Sequence, residues 1–136
     1  MALDYEKLIL IIEDEPDLSR LLEFHLQRRG YDTLAVHDGT AGFDTAFRRW
    51  PDLIILDLML PRMHGLEVCR LLKSNPHTEH IPVLVMTALD AASYRDQCLA
   101  AGAEDFLVKP FNPSELLVRV DAVFEEREAL CCCAHR

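Results

Sequence analysis

Four short stretches of this chain end in residues able to handle an anionic group. Glu13-Asp14 follows the apolar run from Lys7 to Ile12, and Asp57 follows Leu53-Ile54-Ile55-Leu56. Thr87-Ala88 closes the run from Pro82, and Lys109-Pro110 follows Glu104 to Val108. An unpaired carboxylate in an apolar interior is destabilised by several kcal/mol or takes up a proton. Asp57 is therefore expected at the end of its strand, at a rim open to water and cations. Carboxylates gathered there repel one another by about 4 kcal/mol per close pair at an effective dielectric of 20. Lys109 supplies one compensating charge. A hard divalent cation that prefers oxygen ligands, Mg²⁺ or Mn²⁺, supplies the rest. A carboxylate so placed is a nucleophile toward phosphorus, with Lys109 neutralising the transferring group and the Thr87 hydroxyl donating to one of its oxygens. Phosphoryl transfer needs little beyond positioning and charge neutralisation.

The elements that must carry these residues alternate along the chain. Continuous apolar or β-branched runs predict strands at Lys7–Ile12, Tyr31–Val36, Asp52–Leu56, Pro82–Thr87 and Glu104–Val108. Between them lie helical spacings. Leu18, Leu21, Leu22 and Leu26 share a face that ends at Gly30, and a second helix spans Thr40 to Arg49. A third runs from Gly65 to Ser74 and stops before Pro76, and a fourth covers Ala91 to Ala101, closed by Gly102. The last starts near Pro113-Ser114-Glu115 with Leu116, Val120, Val123 and Phe124 on one face. Unbroken apolar strands are covered on both sides, as in a parallel sheet, and right-handed crossovers then give an α/β/α sandwich. Ligands of such a sheet bind beyond the carboxyl ends of its strands, where all four stretches lie.

The totals exclude several classes. The chain has 136 residues, half of them apolar, and a net charge of −9. That fits one globular domain and argues against nucleic-acid or membrane-surface binding through it. No stretch has the length of a spanning helix, and the start lacks a signal-peptide pattern, so a cytoplasmic location is expected. Of five cysteines, Cys69 and Cys98 fall in apolar patterns and are expected in the core. Cys131, Cys132 and Cys133 are consecutive, unlike the spaced ligands of a zinc site, and are read as tail. His25 is read as a satisfied or partly exposed helix residue. Arg48-Arg49-Trp50 is read as a solvated helix end with one packed indole.

At these positions the chain closely resembles the receiver domain of bacterial two-component response regulators. The resemblance rests on "ILIIEDEPD", "PDLIILDLMLPRMHG", "IPVLVMTA" and "GAEDFLVKPFNPSELL", in that order, between about Lys7 and Glu125. It implies a flavodoxin-like (βα)5 fold with strand order 2-1-3-4-5. Asp57 is then the phosphoacceptor, taking its phosphoryl group from a phosphohistidine on a sensor kinase or phosphotransfer protein. Asp14 is the direct Mg²⁺ ligand, Glu13 assists through water, and the Met59 carbonyl is a further ligand. Thr87 and Lys109 contact the phosphoryl group, and the Lys109–Pro110 bond is cis. The histidine comes from the partner, so His64 has no catalytic part.

The family pattern also implies a switch. Thr87 is drawn toward the phosphoryl group and Phe106 turns inward, remodelling the face of the fourth helix, fifth strand and fifth helix. That face, with Tyr94, Arg95, Phe106 and Arg119, meets a downstream partner or a second copy. Two positions depart from the commonest pattern: Glu13 stands where aspartate is more typical, and Phe106 where many members carry tyrosine. Residues 1–126 are expected to form the domain, and 127–136 a helical extension and tail, read as a linker to an output domain. The chain is a phosphoacceptor rather than an enzyme. An aspartyl-phosphate hydrolase would want a carboxylate where Met59 stands, and a flavin-type binder would find "EDEPD" repelling its phosphate. A receiver-like module that is never phosphorylated is the remaining alternative.

Overall fold

A computed structural model describes residues 7–60, 63–88 and 92–134, with the backbone alone for 92–94 and 129–134. Strands and helices alternate as β1 (Leu8–Ile12), α1 (Pro16–Arg28), β2 (Asp32–Val36), α2 (Gly39–Arg49), β3 (Leu53–Asp57), α3 (Gly65–Ser74), β4 (Val83–Thr87), α4 (Ala92–Ala100), β5 (Asp105–Val108) and α5 (Pro113–Ala134). All pairings are parallel, in the expected order β2-β1-β3-β4-β5. The winding reverses between β1 and β3. The crevice beyond their carboxyl ends is therefore where such a sheet gathers functional groups.

The period of two along each strand divides the core. Leu10, Ile12, Ile54, Leu56, Val83 and Val85 face one way, packed with Val68, Cys69 and Leu72 of α3 and Cys98 of α4. Ile9, Ile11, Ile55, Leu84, Met86 and Leu107 face the other way, against Leu22 and Leu26 of α1 and Leu116, Val120 and Phe124 of α5. Each fully buried Leu or Ile contributes about 1.5–3 kcal/mol through area removed from water. This double coverage explains why β1, β3 and β4 read as unbroken apolar runs. Cys69 and Cys98 lie in the core, as expected, and burial pushes the Cys69 thiol up to about 11.

Helix ends carry the expected punctuation. Gly30, at φ +101°, lets Tyr31 N–H reach back to the Leu26 carbonyl and close α1. Asp38 caps α2 by accepting from Ala41 N–H at 2.8 Å, and His64 caps α3 by accepting from Leu66 N–H at 3.1 Å. His64 thus has a structural place, and His25 is half-buried, edge-on to Phe24.

Several boundaries and one packing expectation differ from the sequence reading. α1 starts two residues before Leu18, because Pro16 occupies the first turn, where its missing N–H is no loss. β3 includes Asp57, which pairs with Met86 instead of following the strand. Trp50 is not a packed indole: it is 63% exposed and takes a left-handed backbone (φ 47°) at the end of α2. That conformation turns its side chain away from the face α2 buries. The side chains of Cys131, Cys132 and Cys133 lie outside the described residues, although α5 continues through their backbone.

Gly65 joins the fold to the crevice. A Cβ there would sit 2.5 Å from Leu58 Cα and 2.6 Å from the Asp57 carbonyl oxygen, both backbone atoms. Its N–H donates to the Leu58 carbonyl at 2.8 Å, fixing the turn after β3. Gly65→Ala is expected to lower stability by about 1–3 kcal/mol, the usual cost of overpacking. The check is a lower urea midpoint at unchanged slope.

Candidate functional site

Because β1, β3 and β5 end at one edge, their last residues converge. Carboxylate oxygens of Glu13, Asp14 and Asp57 all lie within 4.8 Å of one another. Glu13 is fully buried, Asp57 is 3% exposed, and Asp14 alone of the three opens to solvent. Asp57 is therefore less open to water than the sequence reading expected. Charges at this spacing repel by roughly 3–4 kcal/mol per pair at an effective dielectric of 20.

Lys109 answers part of that repulsion. Its Nζ lies 3.1 Å from Glu13 Oε1 and 3.3 Å from Asp57 Oδ2. Its direction is set by the Lys109–Pro110 bond, which is cis as expected, and by Lys109 N–H donating to the Thr87 carbonyl at 2.7 Å. Burial disfavours the ammonium. The hydrogen bond to Glu13 and the charge of Asp57 outweigh it and raise the Lys109 pKa.

Glu13 differs most from its expected part. Both carboxylate oxygens are engaged by protein donors: Oε1 by Lys109 and Oε2 by Glu15 N–H at 3.1 Å. Burial pushes its carboxyl up to about 7, the Glu15 N–H works against this, and the Asp57 charge adds to it. Glu13 thus anchors Lys109 as well as lining the acidic cluster. One ammonium against three carboxylates leaves a donor set of hard oxygens, which fits Mg²⁺ or Mn²⁺.

The remaining predicted residues fall as follows. Met59 N–H donates to Asp57 Oδ1 at 3.1 Å while its side chain is 54% exposed, so the backbone and not the thioether faces the site. Thr87 is fully buried at the end of β4, one strand from Asp57. Phe106 is 7% exposed and packs among Val85, Cys98 and Ala103. Its ring lies inside, the inward position of the expected switch. Arg95 is exposed on α4, and Arg119 Nη1 holds both carboxylate oxygens of Asp105 at 2.9 and 3.0 Å. The Tyr94 side chain lies outside the described residues. Sequence reasoning missed His37, whose Nδ1 lies 3.0 Å from the Glu13 carbonyl oxygen. Its position one residue past β2, opposite Glu13, was the only available signal.

Fold and site together define a doubly wound α/β domain with an acidic cluster and one lysine at the switch point of its sheet. Residues 9–121 match the response regulator receiver domain family, and the chain belongs to it. The DNA-binding dual master transcriptional regulator RpaA of Synechocystis is 42% identical over 122 residues, 90% of this chain and 51% of that protein. The phosphate regulon regulator PhoB of Rhizobium meliloti is 42% identical over 115 residues, 85% of this chain and 51% of that protein. This chain spans about half the length of these relatives. Among solved structures, the receiver domain of the Pseudomonas aeruginosa sensor histidine kinase PA1611, with magnesium coordinated in its active site cleft, is 30% identical. Its TM-score is 0.79, covering 87% of this chain and 97% of that one. Chemotaxis response regulator CheY4 of Vibrio cholerae is 28% identical, with a TM-score of 0.83 over 88% and 99% of the two chains. Among the described residues, no helix is long and apolar enough to cross a membrane.

Glu13 gives the site a pH signature. Its folded pKa of about 7 lies above its ordinary 4.5, so the folded state resists ionising it. Between those values the native protein binds more protons than the unfolded chain, and this group's contribution to stability falls as pH rises. Equilibrium unfolding in Mg²⁺-free buffer should show Glu13→Gln gaining on the parent protein from about pH 5 to 7 and levelling off above. A pH-independent difference between the two would refute the assignment.

Proposed function

We propose that this receiver domain accepts a phosphoryl group on Asp57 from a phosphohistidine of a sensor kinase or phosphotransfer protein. The observation that carries this reading is the placement of Lys109 within 3.3 Å of the Asp57 carboxylate, inside a cluster of three carboxylates. A carboxylate oxygen of Asp57 attacks phosphorus, the P–N bond breaks, and its electron pair leaves with the donor imidazole. Lys109 neutralises charge on the phosphoryl oxygens, and the Thr87 hydroxyl, at the end of the adjacent strand, donates to one of them. Met59 N–H, already on Asp57 Oδ1, holds the carboxylate in the attacking orientation. Asp14, Asp57, the Met59 carbonyl and, through water, Glu13 would hold Mg²⁺ or Mn²⁺, which when bound offsets the negative charge of both partners. The magnesium in the cleft of the PA1611 receiver domain supports this choice.

The output passes to the face of α4, β5 and α5. Drawing Thr87 toward the phosphoryl group displaces the end of β4. From there the change passes to Phe106, the exposed Arg95 and the Arg119–Asp105 pair. This face then meets a downstream protein or a second copy. Residues 1–126 act as the receiver, with 127–136 as its connector. α5 runs unbroken to Ala134, and its first turn past residue 126 is tied to the domain by Arg127 donating to the His80 carbonyl and by Lys7–Glu128 at 3.5 Å. The domain turns over no substrate beyond its own aspartyl-phosphate.

Incubation with acetyl phosphate and Mg²⁺ should add one phosphoryl group to the intact mass, removable by hydroxylamine. Asp57→Asn should gain none, and Lys109→Ala should gain it at least 10-fold more slowly, as for loss of one charge-stabilising group. Phosphorylation of Asp57→Asn to the parent's extent would refute Asp57 as acceptor.

A further inference from the structure

β2 ends earlier than its partner needs. Glu13 N–H donates to the Val36 carbonyl at 3.0 Å, the last backbone rung between these strands. The next rung of a parallel ladder would take the Glu13 carbonyl to the N–H of residue 38. Asp38 instead turns to cap α2, its side chain accepting from Ala41 N–H. The Glu13 carbonyl belongs to a fully buried residue and would be left without that partner, which destabilises a buried acceptor. The His37 ring takes the missing place, with Nδ1 3.0 Å from the carbonyl oxygen. A carbonyl only accepts, so Nδ1 carries the proton and donates.

That carbonyl belongs to the peptide joining Glu13 to Asp14. Fixing it fixes the plane from which the two acidic side chains diverge: Glu13 inward to Lys109 and Asp14 outward to the rim. We infer that His37 is a positioning residue, a side-chain rung that sets the Glu13–Asp14 peptide and thereby the geometry of the acidic cluster. It touches neither the phosphoryl group nor a cation. The inference rests on the cation-dependent reading above. Groups that hold a metal's ligands from behind typically change its affinity by 10- to 100-fold, and one acting through a backbone carbonyl belongs at the lower end.

The test is calorimetric titration of Mg²⁺ into the parent protein, His37→Phe and His37→Asn, with urea unfolding of each in Mg²⁺-free buffer. Phenylalanine keeps a ring and loses the donor, whereas the asparagine amide can restore a donor near the Nδ1 position. The expected result is Mg²⁺ affinity about 10-fold weaker in His37→Phe and largely recovered in His37→Asn, with phosphorylation by acetyl phosphate following the same order. Parent-like affinity in His37→Phe overturns the positioning role and leaves the phosphoacceptor reading standing. Equal weakening in both variants overturns the hydrogen bond as its cause. A parent protein that binds no Mg²⁺ overturns the functional reading and this inference with it.

Discussion

One ammonium stands between two buried carboxylates, and the site is organised around that contact. Lys109 reaches Glu13 at 3.1 Å and Asp57 at 3.3 Å, while Asp14 adds a third negative charge nearby. Burial raises the pKa of Glu13, and the charge of Asp57 adds to the rise. The sheet enforces the proximity. β1 and β3 are adjacent, in register through Ile12 and Leu56, so the residues that follow must meet whatever their charge. A structure that fixes like charges together in this way is poised to bind something positive.

The same constraint orders the rest of the fold. Apolar packing on both faces buries β1, β3 and β4, and close-packed interiors leave side chains at the strand ends little room to move. Loops then finish the site by backbone contacts: Gly65 against Leu58, Met59 N–H on Asp57, Glu15 N–H on Glu13, and the cis bond that aims Lys109. α5 buries one face with Leu116, Val120 and Phe124 and continues beyond them.

Much of this was legible in the residues. Continuous apolar runs announced a doubly covered parallel sheet, and the acidic pair, Asp57, Thr87 and Lys109 each followed such a run. What the sequence left hidden depends on how side chains settle. Nothing local to Trp50 revealed that a left-handed backbone would turn its indole outward. Which position Phe106 takes was equally unreadable, and its ring lies inside among Val85, Cys98 and Ala103. Glu13 read as a water-linked ligand, and its burial and two protein donors appear only once the ends of β1 and β5 converge at one edge of the folded sheet. His37 carries no motif; its role exists because β2 stops one rung short.

The central claim is that the acidic cluster stores repulsion which a divalent cation relieves. Urea unfolding of the parent protein across a Mg²⁺ series, at constant ionic strength and neutral pH, reads that relief directly. A cation bound only by the folded state should raise stability by about 1.4 kcal/mol for each tenfold increase in concentration above its dissociation constant. The account predicts that slope, and its collapse when Asp14 and Asp57 are both replaced by asparagine. Stability that stays flat over the whole Mg²⁺ series would contradict it.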